Sequence, residues 1–232
     1  MKAEHYLAFD LGAESGRAMI GTLDGGKLQL TELHRFPSRL IHCQQHFHWD
    51  VYYLFEQIRL VLENLKQQDF RLNSLGIDTW GVDFGLIDKS GHIVGLPFCY
   101  RDKIFPEAAK NYLQEFSGKE LYYLTGIQLL PFNTLFQLYA LRKENPAWLD
   151  LAEKILFMPD LLNFLLTGTK VTDLTIASTS QLLSPISRQW LPGLLERMGI
   201  RSQLLPEINQ PGQTLGRLSS WLLAEGLPDL TV

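Results

Sequence analysis

The chain has 232 residues, with a hydrophobic content of 46%, a charged content of 20% and a net charge of −4. This composition excludes a disordered chain, and the lack of a Lys/Arg-rich run argues against nucleic acid or an anionic membrane as the main partner. Two cysteines, Cys43 and Cys99, are too few for a disulfide framework, and no apolar run reaches the ~18 residues that a membrane span needs. The N-terminus lacks the apolar region of a signal peptide, so we expect a soluble, cytoplasmic protein.

Three short strands open the chain. Residues 5–10, 17–24 and 27–36 are apolar or roughly alternating runs, and Asp24-Gly-Gly26 is a hairpin signal between the second and the third. Strands joined by such short turns pair antiparallel. The sequence therefore predicts an antiparallel meander at the start of the fold.

The turn between the first two strands is Asp10-Leu-Gly-Ala-Glu-Ser-Gly-Arg17. Its glycines allow positive φ and the close approach of a ligand, and successive backbone N–H groups in such a turn can bind an anion. Asp10 would repel a bare phosphate, so a phosphate here requires a metal ion or a cationic partner such as Arg17. The other interpretation is a plain β-hairpin in which Asp10 caps the turn.

Residues 37–49 are polar and are predicted to form a loop. His42, Cys43, His46 and His48 lie within this stretch. Side chains of these types bind transition metals, which makes a metal site one interpretation. However, no second Cys or His pair stands at a matching distance, so the pattern favours an ordinary loop.

An amphipathic helix comes next, with apolar residues at helical spacing between Asp50, an N-cap candidate, and Gln68. Two short apolar runs, 75–77 and 82–87, then predict strands. A strand, a helix and a strand make a βαβ crossover, so we expect strand 75–77 to pair parallel with the first sheet.

Asp78-Thr-Trp-Gly81 forms a polar and aromatic loop after strand 75–77. In open α/β sheets, loops at the carboxyl ends of strands face the ligand crevice, which places Trp80, Gly81 and Asp83 where a substrate would lie. The carboxylate of Asp83 should project away from the apolar side chains on either side of it. Core packing of Trp80 and a solvated Asp83 are the alternatives.

A turn at Asp88-Lys-Ser-Gly91 and a short strand over 92–96 lead to the pair Arg101-Asp102. The pair is interpreted either as a surface ion pair of little energetic value or as a clamp for polyol hydroxyls, because Arg donates in a fixed fork and Asp accepts.

The remainder is predicted to be mostly helical, apart from a single apolar strand at 155–157. Asn133 and Asp160 are N-cap candidates, and Gly126 and Gly168 are helix stops. The predicted helices are 106–116, 118–125, 133–144, 146–152, 158–166, 174–183, 187–198 and 218–225. Another apolar strand begins at about Leu230.

Several motifs together resemble the FGGY carbohydrate kinase family, over Tyr6 to about Leu183. The pattern Asp-x-Gly-x-x-Ser-x-Arg of residues 10–17 is similar to the first phosphate motif of the actin, hexokinase and Hsp70 ATPase superfamily. The more specific matches are Gly76-Ile-Asp-Thr-Trp-Gly-Val-Asp83, Tyr100-Arg-Asp102, Gly126-Ile-Gln-Leu-Leu-Pro-Phe-Asn-Thr-Leu135, Phe157-Met-Pro-Asp160, Leu166-Thr-Gly168 and Thr172-Asp-Leu-Thr175.

The resemblance implies a ribonuclease-H-like α/β domain, which the family contains twice, with the active site in the cleft between the copies. It implies transfer of the γ-phosphate of ATP to a sugar hydroxyl with Mg2+. The motifs are most similar to those of members that phosphorylate the 1-hydroxyl of L-rhamnulose, and L-fuculose or L-xylulose are alternative substrates.

The resemblance also assigns residues to the two ligands. The ATP-phosphate site would comprise Asp10, Gly12, Ala13, Glu14, Ser15, Gly16 and Arg17, with Asp10 near the metal and the γ-phosphate. The family's sugar contact maps onto Gly81. Loop placement adds Trp80, Asp83, Arg101 and Asp102 to the sugar site.

The chain departs from the family pattern in two places. Lys103-Ile-Phe105 stands where members usually carry Ser-Arg-Thr or similar, and no His-Asp occurs, although the family's base is the Asp of a His-Asp-Thr motif. We therefore expect residues 1–232 to be an N-terminal kinase domain that lacks the base and the C-terminal kinase domain. Such a chain would have no catalytic residue of its own and would be inactive alone.

Two other classes of protein remain open. A non-catalytic sugar sensor would keep the cleft without the base. An actin-like filament protein would keep the phosphate turn, but it would leave the motifs of the sugar side without a purpose.

Overall fold

A four-stranded mixed sheet organises the first third of the chain in a computed structural model that describes residues 3–66 and 71–232. The strands β1 (Glu4–Leu11), β2 (Ser15–Asp24) and β3 (Lys27–Pro37) form an antiparallel meander. A later strand, β6 (Leu72–Thr79), pairs parallel with β1, giving the order β3-β2-β1-β6. Both the predicted meander and the predicted parallel crossover are confirmed.

Helix α1 (Val51–Leu65) covers one face of this sheet. Asp50 caps it, because its Oδ1 accepts a hydrogen bond from Tyr53 N–H at 3.0 Å. The fully buried side chains on α1 recur at helical spacing and share one core with the inward-facing residues of β1. The predicted helix ran to Gln68, and residues 67 and 68 lie outside the described part of the chain.

Residues 37–49 are not the loop that the sequence predicted. Strands β4 (Leu40–Cys43) and β5 (His46–Trp49) form an antiparallel hairpin. The turn residues Gln44 and Gln45 have φ of +50° and +71°. Asn and Gly usually signal this left-handed conformation, so a turn built from two glutamines had no recognisable sequence signal.

A second layer begins with β7 (Phe84–Asp88), which pairs antiparallel with β8 (Ala152–Phe157) and not with the first sheet. This ribbon and the surrounding helices enclose a second hydrophobic core. The strand predicted at 92–96 is reduced to an isolated bridge between Ile87 and Ile93. That segment makes too few ladder hydrogen bonds to form a strand.

Helices α2 to α6 match the predicted helices to within two residues at each end. The predicted helices 174–183, 187–198 and 218–225 are shorter in the structure: the first is a four-residue α-helix followed by the 3-10 turn Ser178–Ser180, and each of the others contains one short α-helix. The bounds are α2 (Ile104–Glu115), α3 (Gly118–Thr125), α4 (Thr134–Glu144), α5 (Pro146–Leu151), α6 (Met158–Thr167), α7 (Leu174–Ala177), α8 (Pro192–Arg197) and α9 (Ser220–Ala224).

The predicted helix ends are partly confirmed. Gly126 and Gly168 end α3 and α6 in the left-handed conformation, with φ of +67° and +81°. Asn133 occupies an N-cap position without a capping side-chain hydrogen bond. Asp160 is not a cap, because it lies inside α6, and its buried carboxylate accepts hydrogen bonds from Thr172 and Asp173.

The last residues return to the first sheet. Thr231 bridges Ser74 of β6 in the parallel direction, and Leu75 N–H donates to Thr231 C=O at 2.8 Å. Two further short strands, β9 (Val171–Asp173) and β10 (Glu207–Asn209), pair with each other in parallel.

Candidate active site

The glycine turn joins β1 to β2 as a tight hairpin. Gly12 N–H donates to Ser15 C=O at 2.9 Å. Ser38 binds two carbonyls of the turn, donating from Oγ to Gly12 at 2.7 Å and from N–H to Glu14 at 2.9 Å. Among the hydrogen bonds of the described residues, none uses the N–H of Ala13 or Glu14. The carbonyls of Gly12, Glu14 and Ser15 are therefore satisfied, and two N–H groups of the turn are available to an anion.

The turn glycines do not have the positive φ that the sequence suggested. Gly16 is required for packing instead, since a Cβ there would lie 2.6 Å from two ring atoms of Phe36 and 2.8 Å from Leu11 Cδ2. The atoms that lie close to the Gly16 backbone therefore belong to core side chains and not to a ligand.

Gly16→Ala should lower the free energy of unfolding by about 1–3 kcal/mol, the usual cost of overpacking. Gly76→Ala in β6 is the matched control, because no atom lies within 4 Å of the added methyl group. Urea denaturation of both variants checks the prediction, and equal stabilities would contradict it.

Asp10 and Arg17 face each other across β1 and β2 and form an ion pair. Arg17 Nη2 donates to Asp10 Oδ2 at 2.6 Å and Nε donates to the same oxygen at 2.9 Å. The two side chains are 50% and 45% exposed. Asp78 of β6 is the register partner of Asp10 on the other side and is also exposed. Two carboxylates and a guanidinium thus lie side by side at one end of the sheet.

A strained turn follows β6. Asp83 N–H donates to Gly81 C=O at 2.9 Å, and Val82 between them has φ of +69°. A β-branched residue in this region is an outlier that costs on the order of 1–3 kcal/mol and requires support from its surroundings. Thr134 Oγ1 supplies it by donating to Val82 C=O at 2.6 Å, and Val82 N–H donates to Thr179 Oγ1 at 3.3 Å.

Asp83 faces the interior, and the prediction that its carboxylate projects into the crevice is wrong. The side chain is 0% exposed. Oδ2 accepts from Trp49 Nε1 at 2.6 Å, Trp80 Nε1 at 3.0 Å and Tyr100 N–H at 3.1 Å, and Oδ1 accepts from Gln137 Nε2 at 2.7 Å. The strained turn interrupts the strand alternation on which the prediction rested, and Val82, Asp83 and Phe84 are all buried.

Burial raises the pKa of Asp83 to about 6, and the hydrogen bonds from Trp49, Gln137, Tyr100 and Trp80 act in the opposite direction. All four partners donate, so the ionised carboxylate is the form that this environment satisfies. At neutral pH Asp83 is a buried anion neutralised by N–H dipoles.

Arg101 and Asp102 do not form the predicted pair. Arg101 donates from Nε to Tyr100 Oη at 3.1 Å, and its Nη2 lies 4.0 Å from Glu14 Oε1. Asp102 is buried and accepts from the N–H groups of Phe47 at 2.7 Å and Ile104 at 3.0 Å. The predicted hydroxyl clamp is therefore wrong, because Asp102 is needed to hold the backbone.

Arg101 instead connects the two halves of the candidate site. Its contact with Glu14 brings the loop after β7 up to the glycine turn. A cavity of about 610 Å3 opens beside β6 and is lined by Asp78, Gly81 and Thr179, among others. Trp80 and Gly81 are half-buried in the loop after β6, and Asp10 is in register with Asp78 at the start of this loop. The predicted phosphate turn and sugar loop therefore lie at the same end of the sheet.

The histidines of the β4–β5 hairpin serve packing. His46 Nδ1 lies 3.3 Å from Asp102 Oδ1, and His48 Nδ1 lies 3.2 Å from the Leu96 carbonyl oxygen. Within residues 3–66 and 71–232, no three His, Cys, Asp or Glu side chains are arranged to hold a metal ion. The metal interpretation of this hairpin is therefore not supported.

Sequence reasoning missed Asp78, Tyr100, Phe132 and Gln137. Asp78 had a usable signal, since it directly follows the apolar part of β6 beside the already selected Asp10. Gln137 lies within a helix of mixed polarity, and nothing local distinguishes it from a surface glutamine.

The fold and this crevice define the class of protein. The structure is similar to gluconate kinase from Lactobacillus acidophilus, with a TM-score of 0.87 at 17% identity over 99% of this chain and 47% of that one. It is also similar to Plasmodium falciparum glycerol kinase with ADP, with a TM-score of 0.83 at 18% identity over 98% and 47% of the two chains. The predicted α/β fold class is confirmed, because nearly the whole chain shares the fold of about half of each of these kinases.

Residues 5–227 match the family model described as the FGGY family of carbohydrate kinases, N-terminal domain. The chain belongs to this family. Two similar relatives are the rhamnulokinases of Bacteroides thetaiotaomicron, 41% identical over 216 residues, and Ligilactobacillus salivarius, 39% identical over 233 residues. These alignments cover 93% and 100% of this chain but 44% and 47% of the relatives, so the chain spans about half of their length. Across the described residues, no helix is long and apolar enough to cross a bilayer.

Proposed function

We propose that this chain is the N-terminal domain of a kinase that transfers the γ-phosphate of ATP to the 1-hydroxyl of L-rhamnulose. The observation that carries the proposal is the meeting of the glycine turn and the Trp80-Gly81 loop at the carboxyl ends of β1 and β6, where Arg101 and Glu14 are 4.0 Å apart. Both ligands of a phosphoryl transfer need to reach such a common crevice. The rhamnulokinase relatives support this choice of sugar.

The ATP phosphates would lie over the turn of residues 12–15. The N–H groups of Ala13 and Glu14 make no hydrogen bond among the described residues and would bind an anion there, and Arg17 offers positive charge. Gly16 gives the turn its close packing on Phe36. Positioning and charge neutralisation account for most of the catalysis of phosphoryl transfer, so this is the part that such a turn supplies.

A magnesium ion fits the donor set beside the turn. Asp10 and Asp78 are adjacent exposed carboxylates, and Mg2+ is usually bound by one or two carboxylates together with substrate phosphates and water. When bound, the ion would neutralise charge that develops on the transferred phosphoryl group. Arg17 would then hold Asp10 in place through its two N–H contacts.

The sugar would lie against Gly81 and Trp80, with Arg101 at the rim between sugar and phosphate. Gly81 packs closely against Thr179, because a Cβ at Gly81 would lie 3.4 Å from the Thr179 side chain. Asp83 and Asp102 are buried, so they would not touch the sugar as loop placement predicted. They would instead hold the surrounding loops in place.

The catalytic base and the second wall of the cleft are proposed to follow residue 232. The parallel pairing of Thr231 with Ser74 supports this proposal, since a strand continuing in that direction would run along β6 towards Asp78. A general base contributes typically ~10²–10⁴-fold, so residues 1–232 alone should turn over negligibly and bind ATP weakly.

An ATP-coupled assay tests the proposal on the complete protein, meaning this chain with whatever polypeptide its gene attaches to it. The acceptors are L-rhamnulose, L-fuculose, L-xylulose and glycerol, and the highest kcat/KM is expected with L-rhamnulose. A preference for another ketose would keep the kinase and change its sugar. Sugar binding by calorimetry without any turnover would favour the sensor and overturn the kinase. Normal turnover by residues 1–232 alone would overturn the placement of the base.

A further inference from the structure

Three half-buried aromatic side chains belong to one series of ring contacts, which begins at Trp80, next to Gly81, and passes through the fully buried Trp49. Trp80 packs on the fully buried Trp49 with ring centroids 4.0 Å apart, and Trp49 lies 6.4 Å from the ring of Tyr100. The Tyr100 ring lies 5.7 Å from Phe132. We call Trp80, Tyr100 and Phe132 the aromatic floor. They come from three separate segments, so their relative position depends on what anchors them.

Asp83 anchors two members of the aromatic floor directly. One oxygen, Oδ2, binds the indole N–H of Trp80 at 3.0 Å and the main-chain N–H of Tyr100 at 3.1 Å. The same oxygen binds Trp49 Nε1 at 2.6 Å and so also fixes the ring underneath. Charge-assisted hydrogen bonds of this kind are about twice as strong as neutral ones and are directional.

The third member is anchored through Gln137. Its amide Nε2 donates to Asp83 Oδ1 at 2.7 Å and to the Phe132 carbonyl oxygen at 2.8 Å. A single carboxylate therefore connects all three segments of the aromatic floor, two directly and one through an amide.

The strained turn at Val82 supports a functional role for this arrangement. Val82 has φ of +69°, and this turn is what directs the Asp83 carboxylate inward while Gly81 stays at the crevice. Residues in such sparsely populated conformations cluster at binding sites, where surrounding contacts maintain them. An apolar side chain of similar size would fill this part of the core without the desolvation cost of a carboxylate. A buried carboxylate held by a strained turn therefore indicates a role beyond filling the core.

We infer that Asp83 is a positioning residue for the sugar: it sets the geometry of the aromatic floor against which the apolar face of the ketose packs. The inference rests on the proposed function and adds to it a residue that acts on the sugar without touching it. It follows that loss of the carboxylate weakens sugar binding and leaves the ATP side unchanged.

The test is steady-state kinetics of the complete protein with Asp83→Asn. Asparagine keeps the shape but presents an NH2 group to neighbours that are all donors. KM for the ketose should rise about tenfold to a hundredfold, as expected for loss of a charge-assisted hydrogen bond, while KM for ATP should change less than twofold. Equal changes in both KM values would show a general structural role and overturn the inference.

Trp80→Phe provides a second variant in case Asp83→Asn does not fold. It keeps a six-membered aromatic ring and removes the five-membered ring that carries the N–H bound to Asp83. Its matched control is Trp190→Phe, which removes an indole N–H that binds the Pro206 carbonyl oxygen at 2.7 Å, outside the aromatic floor. Trp80→Phe should raise KM for the ketose at least threefold and Trp190→Phe should not. Equal KM values for the ketose in the two variants would overturn the inference.

The kinase activity of the wild-type protein shows whether a negative result concerns the proposed function or only this inference. If it phosphorylates none of the ketoses, the proposed function fails and the inference fails with it. If it is active and Asp83→Asn folds with an unchanged KM for the ketose, only the inference fails.

Discussion

Replacing Trp49 by alanine should lower the free energy of unfolding by roughly 3–5 kcal/mol, the usual loss when a buried aromatic side chain is truncated. The side chain is 0% exposed and packs on Trp80. Its removal leaves a large cavity and also withdraws one of the four donors from the buried Asp83 carboxylate. Because folded domains are stable by only about 5–15 kcal/mol, the variant should be close to unfolding at 37 °C.

Urea denaturation measures this loss, and Trp221→Ala is the matched control. Trp221 is 45% exposed on α9, so its loss should cost about 1 kcal/mol or less. Trp49→Phe loses the N–H and the five-membered ring but keeps a six-membered aromatic ring, so it should cost less than Trp49→Ala. Equal destabilisation by Trp49→Ala and Trp221→Ala would contradict the role assigned to the buried indole.

Replacing Asp160 by asparagine should change the free energy of unfolding more favourably at pH 8 than at pH 4. Burial raises the pKa of Asp160 to about 7, and the hydrogen bond from Thr172 Oγ1 at 2.5 Å acts in the opposite direction. The folded pKa lies above the ordinary value of 3.8. Between about pH 4 and pH 7 the folded state therefore binds more protons than the unfolded state, and the stability from this group is lost as the pH rises.

Asparagine stays neutral and does not undergo this loss. The difference in unfolding free energy between Asp160→Asn and wild type should rise by about 2–4 kcal/mol from pH 4 to pH 8. Asp88→Asn is the control: the N–H groups of His92 and Ser90 hold the pKa of Asp88 below its usual range, so this variant should gain nothing at pH 8. A difference between Asp160→Asn and wild type that stays constant with pH would show that burial does not control this carboxyl.

The parts of the fold that the sequence predicted are those determined by local periodicity and by glycine. The meander and the amphipathic helices α1, α2, α3 and α6 follow from apolar spacing, and Gly126 and Gly168 end their helices as expected. The β4–β5 hairpin was missed because its turn uses glutamines in a conformation that glycine usually marks.

The candidate site was predicted by position more accurately than by contact. Loop placement at the carboxyl ends of strands put Trp80 and Gly81 in the loop after β6, where both are half-buried, and their contact with the sugar stays a prediction. It failed for Asp83, because one strained residue, Val82, interrupts the side-chain alternation, and Asp83 is buried together with its neighbours. The partners of Asp83 include Trp49 and Gln137, which lie 34 and 54 positions away in the chain. No local pattern could have shown that these side chains converge.

The pairing of Thr231 with Ser74 has a consequence for synthesis on the ribosome. The meander, α1 and β6 are all present once the first third of the chain has been made, whereas residues 230–232 are added about 150 residues later. At about 5–20 residues per second, the nascent chain exposes the outer edge of β6 for on the order of ten seconds before its neighbour arrives. Unpaired strand edges are sites of aggregation, so a chaperone that binds nascent chains would have its greatest effect on this protein during that interval.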